Sequence, residues 1–225
     1  MAVVGMQIDV LWKAAILTCL VFIVGLGIGI WLDDQRVTQV RSQLTDIDLQ
    51  WNDARLASLY FQQRAMVDST FCRNAIDANL AFNDRIYQQG LEIERFEQVN
   101  RFTPELLQEK KRYAMLQLQF WLNSLALKQE CNATYSTLVY FYDHYDQNVS
   151  AQQKAQADVL TEMKNGCGAG LYLIPLPLDL DISSISMIAA QYNIDSAPSL
   201  LVDEKYVFHG LTGKPMLQQL FHCSS

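Results

Sequence analysis

Cysteines, histidines and a few acids are the residues of this chain on which chemistry could rest. Cys72, Cys131, Cys167 and Cys223 make an even set beyond a long apolar run that holds Cys19. Such a set reads as structural disulfides in an oxidising compartment or as redox-active thiols. His144 lies between Asp143 and Asp146, and His209 stands in an apolar run, so a metal or acid–base cluster can be drawn from them. The plainer reading of His144, Tyr145 and Asp146 is a solvated loop or a contact patch for a protein partner. Two acceptor sequons, Asn132-Ala-Thr134 and Asn148-Val-Ser150, mark candidate glycosylation sites. The pattern assigns no catalytic residue, no cofactor and no metal ligand set.

The elements that must position these residues begin with an anchor. Residues 14–32, AAILTCLVFIVGLGIGIWL, hold no charged side chain and as a helix would reach roughly 28 Å, the hydrocarbon thickness of a bilayer. Lys13 can snorkel at one end, Trp12 and Trp31 suit the two interfaces, and Asp33-Asp34 stop the run. A cleaved signal peptide would have a shorter apolar region and a small-x-small site, whereas this run ends in Ile30-Trp31-Leu32. Lys13 on one side is matched by Arg36 and Arg41 on the other, so charge leaves the orientation open. The even cysteine set and the sequons place the large C-terminal part outside the membrane. A net charge of −7 argues against a nucleic-acid partner.

Beyond the anchor, neither Pro nor Gly interrupts a helical pattern until Gly90. Val37, Val40, Leu44, Ile47, Trp51, Ala54, Ser58, Phe61 and Ala65 follow alternating spacings of 3 and 4, a coiled-coil seam. It offers self-association or a protein partner; the alternative is a plain amphipathic helix packed within its own chain. The pattern resumes from Ser69 to about Asn100. Thr103 then supplies an N-cap, Pro104 a first helical position and Glu105 a favourable charge for a helix running to about Glu130. A short connection between two long helices makes an antiparallel hairpin with its tip near Phe102. Leu107, Ala114, Leu118, Trp121 and Leu125 form the inward face of the returning arm. Cys72 and Cys131 stand nearly equidistant from the tip, which predicts a disulfide between the arms unless Gly90 breaks the register. The alternative is two separate buried thiols.

Past Cys131 the period changes. Strands are expected at 137–142, 171–174, 199–202 and 206–209, and helices at 150–164, 183–192 and 215–223. The order is βαβαββα. Here Tyr192-Asn-Ile-Asp-Ser-Ala-Pro198-Ser-Leu-Leu-Val-Asp203 resembles the helix end, cis-proline and following strand of the thioredoxin-like superfamily, over roughly the last 90 residues. Gly210 and Gly213 fall where that family turns into its final helix. The resemblance implies a cis Ala197–Pro198 bond. Family oxidoreductases carry Cys-x-x-Cys at the start of the helix after the first strand, where the dipole yields a thiolate. This chain has Asp143-His-Tyr-Asp-Gln-Asn-Val-Ser150 there, so the family activity is not carried over. The family topology also implies a structural Cys167–Cys223 pair, because the helices these residues close end at the pole opposite the active site.

The expected architecture is therefore α/β plus helical. An N-terminal tail and transmembrane anchor (1–32) lead into a helical stalk and hairpin (33–131) and a thioredoxin-like domain (132–225). The expected function is a single-pass membrane protein displaying a noncatalytic, protein-binding domain outside the cell membrane. Two alternatives stand beside it: a thiol-disulfide oxidoreductase or accessory using unconventional cysteines, and a structural subunit of a cell-envelope complex.

Overall fold

A computed structural model describes residues 13, 15–28, 56, 69–99, 104–145 and 150–221. The chain falls into two compact units, Met1–Asp53 and Ala54–Ser225. In the first, α1 covers residues 15–28, with every described side chain exposed. Among the described residues no helix is long and apolar enough to cross a membrane. Residues 14 and 29–32 of the expected anchor lie outside them, as does every residue of the Val37–Ala65 seam; between 37 and 65 only Leu56, which is not a seam position, is described, helical and exposed.

The second unit opens with α2 (Ser69–Val99) and α3 (Pro104–Glu130). The expected tip, Phe102 with Thr103, lies outside the described residues. Three cross-helix contacts fix how the arms pair. Cys72 and Cys131 form a disulfide with Cα atoms 5.5 Å apart. Asn79 Nδ2 donates to Ser124 Oγ at 2.9 Å, and Gly90 lies under the ring of Tyr113. From Cys72 to Asn79 is seven residues forward and from Cys131 to Ser124 seven back; from there to Gly90 and Tyr113 is eleven each way. Seven and eleven residues are close to two and three turns at 3.6 per turn, so the contact returns to one face without a slip. Gly90 is thus no break in α2.

It is instead a point of close approach. A Cβ on Gly90 would stand 2.9 Å from Tyr113 Oη and 3.1 Å from ring carbons. In an open helix Gly90→Ala would gain about 1 kcal/mol of propensity. Here the overlap outweighs that gain, and we expect destabilisation of about 1–2 kcal/mol in urea unfolding. In a Tyr113→Ala background the same change should become stabilising, which separates the contact from propensity.

The expected inward face of α3 is buried at Ala114, Leu118 and Trp121 and half-buried at Leu107 and Leu125. Burial extends further, to Leu116, Gln117, Phe120, Asn123, Ser124 and Leu127. One stripe cannot account for this, because α3 packs on α2 and on a sheet at once.

That sheet comprises β1 (Ser136–Tyr142), β2 (Leu171–Pro177), β3 (Ser199–Val202) and β4 (Tyr206–His209) in the order β2-β1-β3-β4. β1 and β2 are parallel, joined by the crossover helix α4 (Ser150–Cys167) and a 3-10 turn. β3 runs antiparallel to both β1 and β4. Strand β2 was expected to stop at Ile174 but continues through Pro175 and Pro177. At the sheet edge a proline's missing N–H costs no ladder bond. The α5 helix (Ser183–Gln191) precedes β3, and α6 (Lys214–Gln218) is shorter than the 215–223 expected, with residues 222–225 outside the described set. Within these limits the order is the expected βαβαββα.

Alternate strand residues serve two cores. Leu138, Tyr140, Leu171, Leu200 and Val202 meet Leu160 and Met163 of α4 and Leu217 of α6. Tyr172, between Leu171 and Leu173, points to the other face, where its ring lies 5.2 Å from Phe120 of α3 and 4.0 Å from Tyr135. The helical hairpin therefore covers a face of the sheet.

Candidate functional site

Strand registers define the poles of the sheet. Phe141 pairs with Leu176 of β2 and with Ser199 of β3, and Ser199 with His209 of β4. One pole therefore gathers the ends of β1, β2 and β4 with the start of β3. It holds Asp143, His144, Tyr145, Asp179, Pro198 and His209.

The loop leaving β1 is pinned by its neighbours. The Asp143 N–H donates to Gln153 Oε1 at 2.7 Å, and Gln153 Nε2 returns a bond to the Asp143 carbonyl at 3.1 Å, tying the loop to α4. The Asp179 carboxylate accepts the N–H of His144 at 2.7 Å and that of Tyr145 at 2.6 Å. From α3, Lys110 Nζ stands 3.1 Å from Nδ1 and 3.3 Å from Nε2 of His144 and donates to its lone pair. The rings of His144 and Tyr145 meet edge-on, with Tyr145 half exposed (50%). A cleft of about 310 Å³ opens beside them, lined by Tyr87, Lys110, Tyr113, Tyr142 and His144 among others.

Sequence reasoning singled out His144 and Tyr145 but missed Gln153, Asp179 and Lys110. A signal for Asp179 existed: parallel strands end at one pole, so a carboxylate just past β2 stands beside the loop that leaves β1. Lys110 is set by the hairpin packing alone. Asp146 and Asn148 lie outside the described residues. Among the described residues no group of three His, Cys, Asp or Glu is arranged to hold a metal ion.

At the same pole the Ala197–Pro198 bond is cis, and the Pro198 carbonyl accepts the Gly210 N–H at 2.7 Å. Ser199 Oγ donates to the Ser196 carbonyl at 2.7 Å and stands 3.3 Å from His209 Nδ1. With that proton on the Ser196 carbonyl, an imidazole protonated at Nδ1 would be the donor to Ser199 Oγ.

Sulfur sits elsewhere. Cys131 precedes β1 and Cys167 precedes β2, so both lie toward the opposite pole. Cys167 is disulfide-bonded, and its expected partner Cys223 lies outside the described residues. Cys19 is free and exposed.

The opposite pole fastens hairpin to sheet. In the three-residue β3–β4 connection, 203–205, Asp203 and Glu204 both have positive φ, 47° and 57°, and the Lys205 N–H donates to the Val202 carbonyl at 3.0 Å. Trp121 Nε1 and Thr137 Oγ1 donate to Glu204 Oε1 at 2.8 and 2.6 Å. Lys128 Nζ and the Thr137 N–H donate to Asp203 Oδ1 at 2.6 and 3.0 Å. Burial alone would raise the Asp203 carboxyl, but these hydrogen bonds and the Lys128 charge hold it below the usual carboxylate value. A carboxylate depressed in this way stabilises the fold above its unfolded pKa, about 3.9, and loses that contribution as pH falls through the folded value. The stability gap between the native protein and Asp203→Asn should be full near neutrality and close below about pH 4. Urea titrations across that range measure it.

No family model and no curated protein matches the chain. Among solved structures, "Structure of a malarial protein" is 17% identical over 38% of this chain and 92% of its own, with a TM-score of 0.29. The germline-specific thioredoxin Deadhead of Drosophila melanogaster is 11% identical over 44% of this chain and 90% of its own, with a TM-score of 0.31. These likenesses carry no functional argument.

Proposed function

We propose that this chain is a membrane-anchored, noncatalytic member of the thioredoxin-like superfamily. It binds a protein partner through the loop that takes the place of the family's dithiol. Residues 14–32 serve as the anchor and the domain lies outside the cell membrane. The observation that carries the reading is the loop itself. Where an oxidoreductase would present thiols, Asp179 fixes the backbone of His144 and Tyr145 and the half-exposed Tyr145 ring is held out beside a cleft. A rigid, partly exposed aromatic suits recognition, because little side-chain freedom is lost on binding. The expected Val37–Ala65 seam offers a second route of association.

Photocrosslinking in intact cells tests this, with the probe at Tyr145 and, as a control, at exposed Glu162 on α4. A discrete adduct from position 145 that is absent from position 162 supports the reading. Equal adducts, or none, sink it. Alkylation of the native protein without reductant reads the rival oxidoreductase, since it requires a reactive thiol other than Cys19, which would be labelled at neutral pH.

A further inference from the structure

The segment joining α3 to β1 carries a chemical signature that the fold does not use. Asn132 is exposed with φ 51°, a left-handed conformation that Asn tolerates better than most residues. That accounts for an asparagine at 132. It does not account for the threonine two residues on, because Thr134 is exposed and the bonds securing the segment are made by its neighbours. The Cys131 N–H donates to the Leu127 carbonyl at 2.9 Å, and Tyr135 Oη donates to the Ser124 carbonyl at 2.6 Å.

The residue before the asparagine supplies an independent observation. Cys131 is joined to Cys72, and such bonds persist in the compartments where asparagine-linked sugars are added. A groove of about 600 Å³ adjoins the segment, lined by Ala133, Thr134, Tyr135 and Tyr192 among others. It leaves room for the first sugar.

We propose that Asn132 carries an N-linked glycan, an inference that rests on the outside placement proposed above. The donor is a polyprenyl-diphosphate-linked oligosaccharide. Asn132 Nδ2 attacks C1 of the first sugar, a C1–N bond replaces the C1–O bond, the polyprenyl diphosphate leaves with that bonding pair, and the one proton lost by the amide is taken up by the released diphosphate. No oxidant or reductant enters. The second sequon, at Asn148, lies outside the described residues and takes no part in this proposal.

The test uses full-length protein from the membranes of its own cells, digested without reductant, with the peptide spanning Cys131 to Thr134 read by mass spectrometry. The expected result is a glycan mass on that peptide, lost in Thr134→Ala and retained in Thr134→Ser. An unmodified Asn132 beside a Cys131 still bonded to Cys72 overturns the glycan and leaves the outside placement standing. An unmodified Asn132 beside a free Cys131 overturns both.

Discussion

Replacing Cys72 and Cys131 together by alanine should lower stability by about 4 kcal/mol and Tm by roughly 10 °C. The cross-link spans 59 residues of chain, and in the chain-entropy account a loop of that size is what it removes from the unfolded ensemble. The hairpin keeps its other contacts, the Asn79–Ser124 bond among them, so the variant should still fold. Thermal unfolding of the double variant, and of the native protein with and without reductant, measures the effect. A double variant with unchanged Tm would mean that the rest of the fold already confines the unfolded arms. Greater melting loss in the reduced native protein than in the variant would point to the second disulfide, at Cys167, as a further contributor.

The other large effect is expected at Trp121. It is 2% exposed, and its indole N–H reaches a glutamate 83 residues away in the β3–β4 turn. Trp121→Ala removes one of the largest buried side chains from the junction of hairpin and sheet, and a loss of about 3–5 kcal/mol follows from the cavity. It also leaves Glu204 with one donor fewer, although Thr137 still serves it. Trp121→Phe keeps most of the volume and loses the N–H, so its cost should be about 1–2 kcal/mol. Urea unfolding of the two variants separates packing from hydrogen bonding. A loss under about 1 kcal/mol for the alanine variant would refute a docked hairpin.

The sequence by itself determined much of the framework, because those signals are local or periodic. Pro104 starts α3, the arms flanking the tip are matched in length, and together they set a register in which Cys72 meets Cys131. Strand composition and turn residues marked the element order, and the resemblance of residues 192–203 to the thioredoxin-like superfamily implied the cis Ala197–Pro198 bond. The absence of sulfur between β1 and α4 was equally plain, since it needs no structure to read. Gly90 shows the limit of such reading. In sequence a helical glycine looks like a weak point, and only the Tyr113 ring above it explains the missing side chain.

Tertiary structure alone decided what α3 does. Its burial on two faces answers to α2 on one side and to Tyr172 on the other, a partner 52 residues beyond Phe120 that no helical period announces. The reach of Lys110 to His144 and the seating of Trp121 on Glu204 are of the same kind. Each joins groups more than 30 residues apart, and whether they meet depends on how the hairpin lies on the sheet. A side chain's type and spacing record its own element's needs; a hydrogen bond between elements exists only once packing has brought donor and acceptor within about 3 Å.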